Sequence, residues 1–154
     1  MIIMKQYHRI IFVGENGTCR SAMAEAIFRE YRLNHPMEVL SRAMVALFPE
    51  PINQKAEAVL ISNGITVEGF MSKQLSEEDF SEDTLIITME EAQREKILQD
   101  FQAADEEQVQ VLTQLVGDEL EIMNPYGGTL QAYGLCYETL NKSLKKLIDK
   151  LNEE

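Results

Sequence analysis

The sequence predicts one α/β domain in which a parallel sheet is covered by helices on both faces. Three observations carry this. Short apolar, β-branched runs alternate with stretches of helical spacing along the chain. No internal repeat or low-complexity segment interrupts that alternation. The length, 154 residues at 45% hydrophobic content, suits a single core, so residues 1–154 are read as one domain.

Each element follows in order. Arg9 to Val13 is a short β-branched run, read as a buried strand. A loop from Gly14 to Arg20 follows. From Ser21, Met23, Ala24, Ala26, Ile27 and Tyr31 recur near helical spacing, and Asn34-His35-Pro36 ends that helix. Met37 to Ser41 is a second strand. Pro51 is placed in the first turn of the next helix, which runs through Ala56, Val59, Leu60 and Ile61 and stops at Asn63-Gly64. Asp83 to Met89 is a third strand, and a helix from about Glu90 to Phe101 follows it. Val109 to Leu112 is a fourth strand. The last helix, near Tyr133 to Leu151, places Leu140, Leu144, Leu147, Ile148 and Leu151 on one face. Connections are right-handed, and ligands in such sheets sit beyond the carboxyl ends of the strands.

Composition excludes several function classes. The net charge of −12 repels nucleic acid and anionic lipid. Its acids concentrate between Ser76 and Glu107, as solvated faces or as a docking surface for a basic partner. Two cysteines, Cys19 and Cys136, do not make a disulfide scaffold, and with two histidines and no clustered spacing no metal site or cofactor is expected. No apolar run approaches the roughly 20 residues of a membrane span. The first residues lack a signal-peptide core and a cleavage site, so the expected location is cytoplasmic.

The chemistry is expected in Gly14-Glu15-Asn16-Gly17-Thr18-Cys19-Arg20-Ser21. A strand feeds a loop with two glycines, and the loop feeds a helix. Backbone amides in such a turn converge on an anion, and the helix start adds free donors and a positive dipole end. Arg20 offers a planar fork that suits phosphate oxygens. Taken alone, the pattern fits an oxyanion cradle and an ordinary strand-to-helix turn about equally. A thiol beside an arginine and a helix start also sits where its pKa would fall, although Cys19 is read mainly as a packed thiol.

The stretch resembles the signature loop of the low-molecular-weight protein tyrosine phosphatases: a cysteine, five residues, an arginine, then serine or threonine. Cys19-Arg20-Ser21 followed by Met23-Ala24-Glu25 matches its second half. Ser41, Asn63-Gly64-Ile65, Ser72-Lys73-Gln74-Leu75, Leu85 to Glu90 and Asn124-Pro125-Tyr126-Gly127-Gly128 resemble later family segments in order and spacing. Thr18 and Gly127-Gly128 lean toward the bacterial arginine-phosphatase branch. The resemblance implies a three-layer sandwich whose four parallel strands run in the order 2-1-3-4, with the phosphate loop after the first.

It also implies roles. Glu15 to Ser21 would hold phosphate, with Ser41, Phe70 and Tyr126 as walls. The family's nucleophilic cysteine falls at Gly14 and its general acid at Asn124, so no catalytic residue is intact. Phe70 stands where many members have a bracing histidine. The expected function is a pseudophosphatase: an inactive or severely impaired protein that binds phosphate, a phosphorylated residue or a protein partner. Two readings stand beside it. One is a working tyrosine or arginine phosphatase with another nucleophile, such as water; the other is a scaffold that binds no anion.

Overall fold

A computed structural model describes residues 7–154. The reading of the first residues as leader-free lies largely outside them. The sheet has four parallel strands, β1 (Arg9–Gly14), β2 (Glu38–Ala43), β3 (Thr84–Thr88) and β4 (Val109–Val111), in the order β2-β1-β3-β4. β1 lies at the centre, with Phe12 opposite Ser41 on one side and Ile87 on the other. A central parallel strand is buried on both faces, which is why its sequence is an unbroken apolar run rather than an alternation.

The two faces form two cores. Ile10, Phe12, Leu85 and Ile87 pack under α1 (Arg20–Arg29), α2 (Gln54–Ser62) and α5 (Leu130–Glu153). Phe12 meets Phe28 of α1 edge to face at 5.7 Å. Ile11, Val13, Ile86 and Val109 face the other way, with Leu75, Phe80 and Ile97 of α3 (Glu91–Asp100). The long helix α5 buries the predicted leucine face, and Thr129 caps it by accepting from the Ala132 amide at 3.2 Å.

Several boundaries differ from expectation, each for a local reason. α1 stops at Arg29, before the Pro36 segment, as the amides of Glu30 and Tyr31 bond back three residues to Ile27 and Phe28. Pro51 precedes α2 instead of sitting in its first turn. The cap is Asn53, whose Oδ1 accepts from the amides of Lys55 and Ala56 at 2.9 and 3.1 Å. A 3-10 turn (Glu77–Asp79) and the short helix α4 (Leu112–Val116) were not predicted. α4 takes over Leu112, expected in the fourth strand. Among the described residues no helix is long and apolar enough to cross a membrane.

Candidate active site

The loop after β1 leaves the carboxyl edge of the central strand, where its neighbours hold it from outside. The Met44 amide donates to the Gly14 carbonyl at 2.8 Å, the Val45 amide to the Glu15 carbonyl at 3.0 Å, and the Asn53 amide to the Thr18 carbonyl at 2.9 Å. Gln74 fixes the segment that supplies two of these donors, accepting from the Ala46 amide at 2.7 Å and donating to the Met44 carbonyl at 2.8 Å. Gly17 closes the turn at φ +75°, and a Cβ there would stand 2.8 Å from the Ala43 Cβ. Gly17→Ala combines backbone strain with a clash that no flexible side-chain end relieves. It is expected to destabilise the protein by about 3 kcal/mol, measured by urea denaturation.

The loop and the segment 124–126 enclose a hollow of about 280 Å³. Gly14, Glu15, Asn16, Gly17, Cys19 and Arg20 form one side, and Asn124 and Tyr126 the other. Arg20 is buried and held at both arms: Nη2 donates to Glu90 Oε2 at 2.6 Å and Nη1 to the Ile122 carbonyl at 2.7 Å. Asn16 Oδ1 accepts from both the amide and the hydroxyl of Thr18, at 3.1 and 2.9 Å. At the head of the loop Gly14 brings no side chain. A Cβ there would lie 2.8 Å from Ser21 Oγ, a fully buried hydroxyl without a hydrogen-bond partner among the described residues.

A family model described as low molecular weight phosphotyrosine protein phosphatase matches residues 9–154. The chain belongs to that family. It is 33% identical to the low molecular weight protein-tyrosine-phosphatase PtpB of Staphylococcus aureus over 141 residues, 92% of this chain and 97% of that protein. It is 28% identical to a protein-arginine-phosphatase of Geobacillus stearothermophilus, covering 96% and 98% of the two chains. The solved YwlE arginine phosphatase of the same organism superposes with a TM-score of 0.86 at 29% identity, covering 95% of this chain and 94% of that one. The resemblance and the strand order read from sequence are thus both met.

Within this phosphatase frame the expected site residues separate into groups. Glu15, Asn16, Gly17, Cys19, Arg20, Asn124 and Tyr126 come together around the hollow. Thr18 spends its amide and hydroxyl on Asn16, and Ser21 lies behind Gly14. Ser41 and Phe70, expected as walls, stand outside the hollow: Ser41 is paired with Phe12 inside the sheet, and Phe70 borders a separate cavity with Ala22 and Ala26. Three residues not assigned to the site control it. Glu90 and Ile122 hold Arg20, and the buried Gln93 fixes Glu15 by donating to its Oε2 at 3.2 Å. Gln93 also accepts from the amides of Met89 and Glu90, so the start of α3 positions both carboxylates. The acidic end of the third strand was the one sequence signal for Glu90.

Cys19 is packed as expected, but its pKa does not fall. Burial pushes its thiol up to about 11, and the opposing pull of Arg20 does not offset it. Cys136, also buried, is pushed up to about 12. Both thiols are therefore neutral near pH 7. In the unfolded chain they ionise near 9, below their folded values. Their contribution to stability is intact below about pH 9 and is lost as pH rises toward 11 and 12. The expected result is a falling unfolding midpoint above about pH 9, with both thiols slow to alkylate in the native protein at pH 7.5; Cys19→Ser should flatten that decline.

Proposed function

We propose that this phosphatase-family protein holds phosphate or a phosphorylated residue in the Gly14–Arg20 hollow without turning it over at an appreciable rate, acting as a phospho-ligand or protein-binding regulator. The carrying observation is Gly14. The family reaction, as the resemblance implies it, needs a thiolate at the head of the loop to attack phosphorus and an acid to protonate the leaving group. Gly14 supplies no attacking atom. Asn124, on the opposite wall, has no titratable proton near neutral pH. Loss of a nucleophile lowers turnover on the order of 10⁶-fold in enzymes whose catalytic groups act as a unit. The loop frame and Arg20 remain, and these are the parts that bind an oxyanion. The named activities of the relatives favour phosphotyrosine or phosphoarginine as the ligand.

One observation favours a second reading, a working tyrosine or arginine phosphatase: Cys19 lines the hollow and carries a thiol. With a pKa of about 11, roughly one thiol in 10⁴ is ionised at pH 7. Phosphate release from phenyl phosphate and from a phosphoarginine peptide separates the readings, with Arg20→Ala and Cys19→Ser run alongside. No release above the Arg20→Ala background, together with orthophosphate binding by calorimetry, is expected. Release abolished by Cys19→Ser would establish the second reading instead.

A further inference from the structure

Phe70 is left without a task by the phosphate hollow. It stands where many members of the family have a histidine, yet it borders a separate groove of about 360 Å³. One side of that groove is a single face of α1: Ala22, Glu25, Ala26, Arg29 and Glu30 are spaced three and four residues apart. The other side is the irregular strap from Ile65 to Phe70 that follows α2. The groove has a local cause. Ala22 and Ala26 bring only methyl groups to the helix face, and among the described residues no backbone hydrogen bond joins the strap to α1. The strap is pinned at its two ends instead. The Ile65 amide donates to the Leu60 carbonyl at 2.9 Å, and the Ser72 amide to the Glu50 carbonyl at 2.8 Å.

The lining divides by exposure. Ala22, Ala26 and Ile65 are buried, and Val67 and Phe70 pack part-buried against the core. Glu30 and Glu68 are exposed. The lining's cation, Arg29, is already committed: its Nη2 donates to the Val39 carbonyl at 2.6 Å and pairs with Glu25 at 2.9 Å. Glu25 and Arg29 cancel, whereas Glu30 and Glu68 form no ion pair among the described residues. Two uncompensated carboxylates therefore stand beside apolar surface, and the chain's net −12 adds a field of the same sign. Phe70 is apolar and also attracts a cation placed over its ring. An anion is repelled here, and a neutral molecule gains burial alone. An apolar body with one positive charge gains from both parts of the lining.

We propose that this groove is a second binding site, for a small organic cation with an apolar body, of which an arylalkyl ammonium is the simplest case. Phe70 and the methyl groups of Ala22 and Ala26 take the body, and Glu30 and Glu68 take the ammonium. The volume suits a small molecule. The groove shares no lining residue with the Gly14–Arg20 hollow, so it stands whether or not that hollow holds phosphate.

The test is titration of isotope-labelled protein, read by amide chemical shifts at neutral pH and low ionic strength. Three probes carry the same ring: benzylammonium, benzyl alcohol and phenylacetate. Benzylammonium should shift the amides of Ala22, Ala26, Val67 and Gly69 with a Kd of about 1 mM or tighter. Benzyl alcohol should bind there about tenfold more weakly, and phenylacetate should not bind. Glu30→Gln with Glu68→Gln, both at exposed positions, should bring benzylammonium within about threefold of benzyl alcohol. Glu95→Gln with Glu106→Gln removes the same charge near α3, which packs on the other face of the sheet, and should leave the affinity unchanged. Phe70→Leu keeps the apolar packing and should weaken benzylammonium about threefold. Equal affinities for benzylammonium and benzyl alcohol, an equal loss in the two double variants, or shifts that fall outside the groove overturn the proposal. So does the absence of any shift at about ten times that benzylammonium concentration.

Discussion

Gly14→Cys combined with Asn124→Asp is expected to turn the protein into a phosphatase, with release from phenyl phosphate about 10³-fold or more above wild type. Gly14→Cys places a sulfur at the start of the loop, and its thiolate would be stabilised by the Ser21 hydroxyl, which has no other partner among the described residues. The new Cβ meets Ser21 Oγ at 2.8 Å and Ser21 Cβ at 3.1 Å. The first contact is relieved by rotation of the hydroxyl. The second requires a shift of a few tenths of an ångström, so destabilisation of about 1 kcal/mol accompanies the gain. Asn124→Asp restores a group that protonates the leaving oxygen from the opposite wall. Gly14→Cys alone should accumulate a phosphocysteine detectable by mass spectrometry, with slow release. A double variant no faster than wild type would show that the loop no longer orients phosphate for attack from position 14.

Arg20→Ala is expected to cut orthophosphate affinity about 100-fold and to destabilise the fold by about 2–3 kcal/mol. The first effect follows from losing the one cation among the described residues that line the site. The second follows from what Arg20 holds inside the protein. Removing it leaves Glu90 without its cation and the Ile122 carbonyl without its donor. Glu90 is one-third exposed, so the loss falls below that of a fully sealed pair. Urea denaturation reads the stability, and the variant should remain folded for calorimetry. Arg20→Lys separates the two roles: it keeps the charge but cannot reach both Glu90 and Ile122 as a fork. A variant that binds orthophosphate as wild type does would remove Arg20 from the site.

The sequence displayed the fold well because the fold is written in local patterns. All four strands were visible as short apolar runs, and the resemblance supplied their order. What escaped was short or depended on caps. α4 is five residues long, and Asn53 rather than Pro51 starts α2 because its side chain satisfies two free amides. The site was legible as far as it is contiguous. Gly14 to Arg20 and Asn124 to Tyr126 are two segments, and both line the hollow. Glu90, Gln93 and Ile122 act on the loop from 70 or more residues away, and side-chain contacts over such separations leave no local pattern. Cys19 was read mainly as a packed thiol, which its burial matches, but the same limit hid the direction of its pKa. Arg20 and the helix start were visible in sequence, whereas the burial that raises its pKa was not.

The placement of β1 has a consequence for how the molecule assembles. Its first neighbour, β2, is available after a single crossover. Its second, β3, pairs Arg9 with Thr84, 75 residues later. Until β3 arrives, one edge of the most apolar strand in the protein has no partner, and the loop at its end lacks the carboxylate that holds Arg20. Such non-local pairing slows folding, because loop closure must precede the contacts that reward it. On the ribosome, the segment that becomes the centre of the sheet emerges before both of its neighbours and is completed late. A sheet wired in this order is most open to mispairing in the interval before β3 covers the free edge of β1.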